Sequence, residues 1–190
     1  MPNWCNNSVT IAHEDPAMII RAKEAFVEGK FLNEFVPIPE SLHIVSGSVP
    51  LAEQAEHEAQ MKANIEAHGY KDWYDFSVNE WGTKWDVGDG DGINEVTENS
   101  LTIYFDSAWA PPIAAYSKME DMGFKIDALY YEPGMAFCGR YTEGVDDYYE
   151  YGGMNSEQAE QMLPKEINEA FCITEDMAMW EEENKEEENE

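Results

Sequence analysis

From Trp4 to Ala12 apolar and polar positions alternate, with Val9 and Ile11 on one face and Ser8 and Thr10 on the other, which predicts a half-buried strand. Asp15 followed by Pro16 reads as a helix start: a capping carboxylate, then a ring whose missing N–H would be unpaired there anyway. Met18, Ala22, Ala25 and Phe26 share the inner face of that helix, and Gly29 ends it. Phe35-Val36-Pro37-Ile38-Pro39 is an extended connection, because proline pushes its predecessor out of the helical region. Leu51 to His68 is rich in Ala, Glu and Gln with a thin apolar face (Ala55, Ala59, Ile65), predicting an inserted helix packed on the outside. Trp81 to Val87 reads as a strand, followed by the loop Gly88-Asp89-Gly90-Asp91-Gly92.

Leu101, Ile103 and Phe105 alternate with Thr102, Tyr104 and Asp106, a further half-buried strand. Pro111-Pro112 opens a helix with Ala115, Met119 and Met122 inside and Gly123 as its stop. Phe124, Ile126, Ala128 and Tyr130 mark the next strand, the Pro133-Gly134 turn leads to a hairpin partner over Met135–Tyr141, and Asp146–Tyr151 adds an edge strand. Asn155 stands three before Gln158, the spacing of a capping box, and two short helices over 155–173 divide at Pro164. The order is strand, helix, inserted helix, strand, strand, helix, strand, then a hairpin. That predicts an α+β fold: a ferredoxin-like split βαβ antiparallel sheet with helices on one face, plus a C-terminal hairpin and helical extension. Residues 1–173 form one domain in this reading, and 174–190 an acidic, disordered tail.

Charge changes the picture. Forty acidic side chains face 11 basic ones among 190 residues, a net of −29. Thr174 to Glu190 holds nine acids and one base, so −8 lies in the tail and −21 in the body. This balance excludes the basic footprint of a direct nucleic-acid binder and opposes binding to an anionic membrane. Wholesale disorder conflicts with 43% apolar and 13% aromatic residues. No stretch approaches the roughly 18 apolar residues of a membrane span. The start, Met1-Pro2-Asn3-Trp4, lacks the basic and apolar regions of a signal peptide. Cys5, Cys138 and Cys172, odd in number and far apart, fit reduced thiols in a cytoplasm.

Candidate chemistry is sparse. Lys84 and Asp86 fall on one face of the predicted strand, and with Trp4 and Trp109 they form a candidate ligand region; a structural ion pair among packing aromatics is the alternative. Asp86, Asp89 and Asp91 around the glycine loop fail the spacing of a calcium loop, and no His or Cys spacing suits zinc, so neither metal nor cofactor is expected. No acid, base and nucleophile converge in a catalytic pattern, so the chain does not read as an enzyme. What stands out is acid interleaved with tyrosine at Asp146, Asp147, Tyr149 and Glu150, with further carboxylates at Glu53 and Glu56 on the inserted helix and Glu181, Glu182 and Glu183 on the tail.

Several blocks also carry a resemblance: Pro2-Asn3-Trp4-Cys5-Asn6-Asn7-Ser8, Trp81-Gly82-Thr83-Lys84-Trp85-Asp86, Asp106-Ser107-Ala108-Trp109-Ala110-Pro111-Pro112, and Tyr131-Glu132-Pro133-Gly134 with Phe137-Cys138-Gly139. Over about residues 1–151 the chain resembles the YubB-like family of ferredoxin-like proteins carried by bacteriophages and conjugative plasmids. The resemblance implies that fold and a mobile-element origin, and carries over no catalytic residue. With the charge, it sets the expectation of a binding protein in the host cytoplasm. Its carboxylates would imitate nucleic-acid phosphates and block the basic groove of a host nucleic-acid-binding protein: a defence nuclease, restriction enzyme or CRISPR effector. Two alternatives stay open: a small ligand-binding module or enzyme at Lys84, Asp86 and the tryptophans, and acidity serving only solubility or salt adaptation. The sequence sets no oligomeric state.

Overall fold

The computed structural model describes residues 2–187. Six strands form one sheet: β1 (Trp4–Ala12), β2 (Ile93–Val96), β3 (Ser100–Ala108), β4 (Lys125–Glu132), β5 (Phe137–Thr142) and β6 (Val145–Glu150). Their spatial order is β2-β3-β1-β4-β5-β6, and every neighbouring pair is antiparallel. The first four strands, with α1 (Pro16–Val27) between β1 and β2 and α5 (Ile113–Asp121) between β3 and β4, make the split βαβ order of a ferredoxin-like sheet. The other helices are α2 (Phe31–Phe35), α3 (Gln54–His68), α4 (Trp73–Glu80), α6 (Ser156–Met162), α7 (Lys165–Phe171) and α8 (Ile173–Glu187).

The alternation in the sequence is the alternation in the sheet. Val9, Ile11, Leu101, Ile103, Ile126 and Ala128 turn to one face and are buried against Ile19, Ala22 and Phe26 of α1, Phe31, Leu32 and Phe35 of α2, and Ala115 and Met119 of α5. Each large side chain closed off in this way contributes about 1.5–3 kcal/mol. Asp15 caps α1 by accepting from the Ala17 N–H, as its Asp-Pro start predicts.

The opposite face is covered over only half its width. Leu129, Tyr131, Cys138, Tyr149 and Tyr151 meet Ala159, Leu163, Ile167 and Ile173 of the C-terminal helices in a second, smaller core. The molecule is therefore three layers deep over β4–β6. Over β1 and β3 no described residue covers the outer face, and it exposes Thr10, Tyr104 and Asp106.

Four local expectations are corrected. Trp81–Val87 is a chain of turns rather than a strand; Gly82 adopts φ +90°, Trp81 is buried with its indole N–H donated to the Val36 carbonyl, and Thr83 donates to the Ala108 carbonyl. The strand beside β3 is instead Ile93–Val96, whose outer residues are exposed and carry almost no alternation to read. The inserted helix is present from Gln54, but its thin apolar stripe faces water. Its buried residue is Asn64, which donates to the Ser41 and Lys71 carbonyls. Met122, expected inside, sits exposed at the end of α5.

The fourth correction concerns the tail. α8 runs from Ile173 to Glu187, separated from α7 by Cys172 alone, at φ +52°. Asn168 holds the junction by accepting from the Thr174 N–H and donating to its hydroxyl, Met177 packs on the second core, and Glu181 reaches back to the start of α6. The remainder of the expected tail, residues 188–190, lies outside the described residues.

Candidate functional site

The predicted Lys84–Asp86 pair is taken apart by the turns that replace the strand. Both oxygens of Asp86 are committed elsewhere: they accept from the Leu32 N–H (2.6 Å), the Asn33 N–H (3.0 Å) and the Val87 N–H (2.8 Å), and so cap the start of α2. Burial pushes this carboxyl above its ordinary range, and the three N–H donors offset part of that shift. Asp86 still lines a small cleft of about 270 Å³ with Trp4 and Trp85. Lys84 turns to aromatic faces, with its ammonium 4.5 Å from the Trp85 ring centre, 5.1 Å from Trp109 and 5.7 Å from Tyr74. The Trp4 and Trp85 ring centres are 5.9 Å apart. The structure thus gathers Trp4, Lys84 and Trp109, and makes Asp86 a helix cap.

Trp109 also borders a groove of about 660 Å³ between the start of α5 and the β5–β6 hairpin. It holds φ +73°, a strained conformation for a bulky residue. The turn is pinned by its own N–H donated to Asn3 and by the Ser107 hydroxyl donated to Ala110. Across the groove lie Tyr130, Phe137, Tyr141, Asp146 and Tyr148. Tyr130 reaches it through Gly139, which faces Tyr130 on one side and Tyr148 on the other. A Cβ on Gly139 would lie 2.2 Å from the Tyr130 hydroxyl. That hydroxyl donates to Asp146 (2.6 Å), and Tyr141 donates to Glu120 (2.6 Å). Burial, then the carboxylate acceptor, pushes both phenols up, so they stay protonated donors. Sequence reading missed Tyr130 and Phe137 as groove residues. The signal that could have found them is a glycine inside a strand, the mark of a close approach.

The acidic candidates divide. Asp146 and Tyr148 face the groove, while Asp147 and Tyr149 point to the other side. Tyr149, expected at an interface, packs against the second core instead. Glu181 is not free either: its two oxygens accept from the Ser156 N–H (2.7 Å) and hydroxyl (3.0 Å), bracing α8 against α6. Glu182, Glu183 and Glu150 are exposed. Glu53 and Glu56 are exposed at the start of α3, where the helix dipole favours carboxylates.

Neutralisation is scarce nearby. Arg140 is committed to bidentate bonds with Asp127 (2.9 and 2.7 Å) and a bond to Glu166 (2.7 Å). From Val145 to Glu190 the chain holds sixteen acids and two bases, a net of −14, so its last quarter carries nearly half of the −29.

Cys5 and Cys138 are buried, and burial pushes each thiol up to about 12, which keeps both inert at neutral pH. Among the described residues no three His, Cys, Asp or Glu side chains are grouped to hold a metal ion, and no helix is long and apolar enough to cross a membrane.

No family model and no curated protein matches the chain. Among solved structures it is similar to the crystal structure of protein api92 from Yersinia pseudotuberculosis, described with the family model DUF1281. The identity is 14% and the TM-score 0.39, over 80% of this chain and 99% of that one. A score that low carries no argument about function.

Proposed function

We infer that this is a YubB-like protein of phage or plasmid origin, acting in the host cytoplasm without catalysis as an imitator of nucleic-acid phosphates. It would occupy the basic surface of a host nucleic-acid-binding protein of the defence, restriction or CRISPR kind. One observation carries the reading: among the described residues, exposed carboxylates are carried by a folded, anchored helix. Glu175, Asp176, Glu182 and Glu183 are exposed along α8, a helix anchored through Asn168, Met177 and Glu181. Carboxylates fixed in rows meet a row of Arg and Lys at lower entropic cost than a flexible chain, and unpaired charge speeds encounter.

The test is capture from host lysate at low salt, elution by salt, and competition by DNA or RNA. Replacing Glu175, Asp176, Glu182 and Glu183 by their amides should abolish capture of a nucleic-acid-binding protein. Replacing Glu53, which precedes α3, and Glu56, Glu58 and Glu66 within it should leave most of it. Equal loss from both sets would reduce the acidity to a solubility device. A second reading, a small-ligand module, is favoured by the strained Trp109 at the groove; direct ligand binding lost in Trp109→Gly with capture retained would select it.

A further inference from the structure

β6 is the last strand of the sheet, and among the described residues no strand lies on its outer edge. The β5–β6 connection is the two-residue turn Glu143-Gly144, with φ +51° and +76°, the geometry of a tight hairpin. In such a hairpin the flanking residues Thr142 and Val145 share the first pair of ladder bonds, and the bonds then skip every second residue. The Tyr151 N–H donated to Ala136 continues this phase beyond the strand. Val145, Asp147 and Tyr149 therefore spend their backbone groups on β5. Asp146, Tyr148 and Glu150 point theirs outward.

The same three residues put their side chains on the face that bears the groove, where Asp146 and Tyr148 form its wall. One oxygen of Asp146 accepts from Tyr130, and the other has no partner among the described residues. Aromatic rings next to a carboxylate suit a cationic side chain, and Lys84 lying over Trp109 shows that this ring already holds an ammonium.

We propose that the β6 edge and the Trp109 groove together take up an extended, Arg- or Lys-rich segment of a partner protein as a seventh strand. Backbone bonds to Asp146, Tyr148 and Glu150 supply the pairing. One cationic side chain enters the groove between Trp109 and Tyr148 and reaches Asp146, and the next on that face reaches Glu150. A second copy of this chain is the wrong occupant: symmetric antiparallel pairing about Tyr148 would set Asp146 against Glu150, like charge against like. The proposal rests on the phosphate-imitation reading for the partner's charge, but it adds a contact that phosphate imitation does not need.

The experiment titrates the full chain with an alternating Arg–Val peptide, its citrulline–Val counterpart, and the Arg–Val peptide N-methylated at every second residue. Backbone amide NMR and calorimetry follow the binding. One-to-one binding of the Arg–Val peptide is expected, with shifts concentrated at the amides of Asp146, Tyr148 and Glu150. N-methylation should weaken it at least about tenfold by removing ladder donors. Asp146→Asn should weaken it several-fold, and Trp109→Gly does the same in a backbone that glycine fits. The citrulline peptide should bind worse than either variant allows.

Equal binding of the methylated and unmethylated peptides would overturn strand addition while leaving the phosphate-imitation reading standing on its DNA and RNA competition. Shifts at the same amides from self-association of the free chain would overturn it in favour of a second copy. No peptide binding at low salt would overturn it outright, whatever the lysate capture shows.

Discussion

The two faces of the sheet are built on opposite principles. On the α1–α5 side, long alternating strands close over Phe26, Phe31, Leu32 and Tyr116, and apolar burial does the holding. On the α6–α8 side the core is small, and much of the holding is polar: Asn155 and Gln158 cap α6 reciprocally, Asn168 clasps Thr174, and Glu181 accepts from Ser156. The second layer also bears the larger charge density. A layer that repels itself needs directional bonds at fixed points, because there is little apolar area to spend against the repulsion. The difference teaches that acidity here is not applied as a uniform coat. It sits most densely on the layer with the smaller apolar core.

The comparison breaks first at its strong side. Phe26→Ala removes a fully buried ring from the larger core and should cost about 3–5 kcal/mol, read as a lowered denaturant midpoint. Ile167→Ala in the smaller core should cost about 2–4 kcal/mol and act locally. Hydrogen exchange should speed up in α6–α8 while the β1 amides keep their protection; equal acceleration in β1 would make the two layers one cooperative unit.

Glu181→Ala should cost about 1–2 kcal/mol, since the cap of α6 comes from α8 rather than from its own sequence alone. Added salt should widen the gap to the parent, because it screens the repulsion that Glu181 feels from neighbouring carboxylates and that the variant has already shed.

The smallest effect is a pH slope at Asp86. Its carboxyl is raised above 3.8 in the folded protein by burial, so the folded state holds that proton more tightly than the unfolded chain. Protonation there favours folding. Its contribution is greatest below 3.8 and falls as pH rises through the raised value, then stays flat toward neutrality. Asp86→Asn should therefore flatten the stability gain that the parent shows on mild acidification, with urea midpoints across that window as the measure. A steeper gain in the variant would assign the slope to the other carboxylates.

Legibility followed the range of the forces. Strands β1, β3 and β4 were readable because period-two burial writes itself into residue type, β5 and β6 because a Pro-Gly turn and an aromatic run mark them, and the Asp15-Pro16 and Asn155–Gln158 caps are local chemistry. β2 was unreadable because Ile93–Val96 is mostly exposed at a sheet edge. α2 is five residues long and takes its cap from Asp86, more than fifty positions away. α8 looked like a tail because ten residues of mostly glutamate have no inward face of their own; Met177 and Glu181 find theirs only against Leu163, Ile167 and Ser156. The site was half visible: Trp109 and Asp146 could be singled out by type, but their partners Tyr130 and Phe137 read as ordinary strand residues.

By itself the sequence determined the alternation, hence the antiparallel sheet, and the total charge, because both depend on residue identity and near neighbours. Only the tertiary structure decided what those residues do. It made Asp86 a cap and not a partner of Lys84, turned an acidic tail into a braced helix, and set the free backbone of β6 beside Trp109. The physical reason is that a carboxylate's role is fixed by which N–H groups, rings and charges the fold carries to within a few ångströms of it, and that distance is not written along the chain.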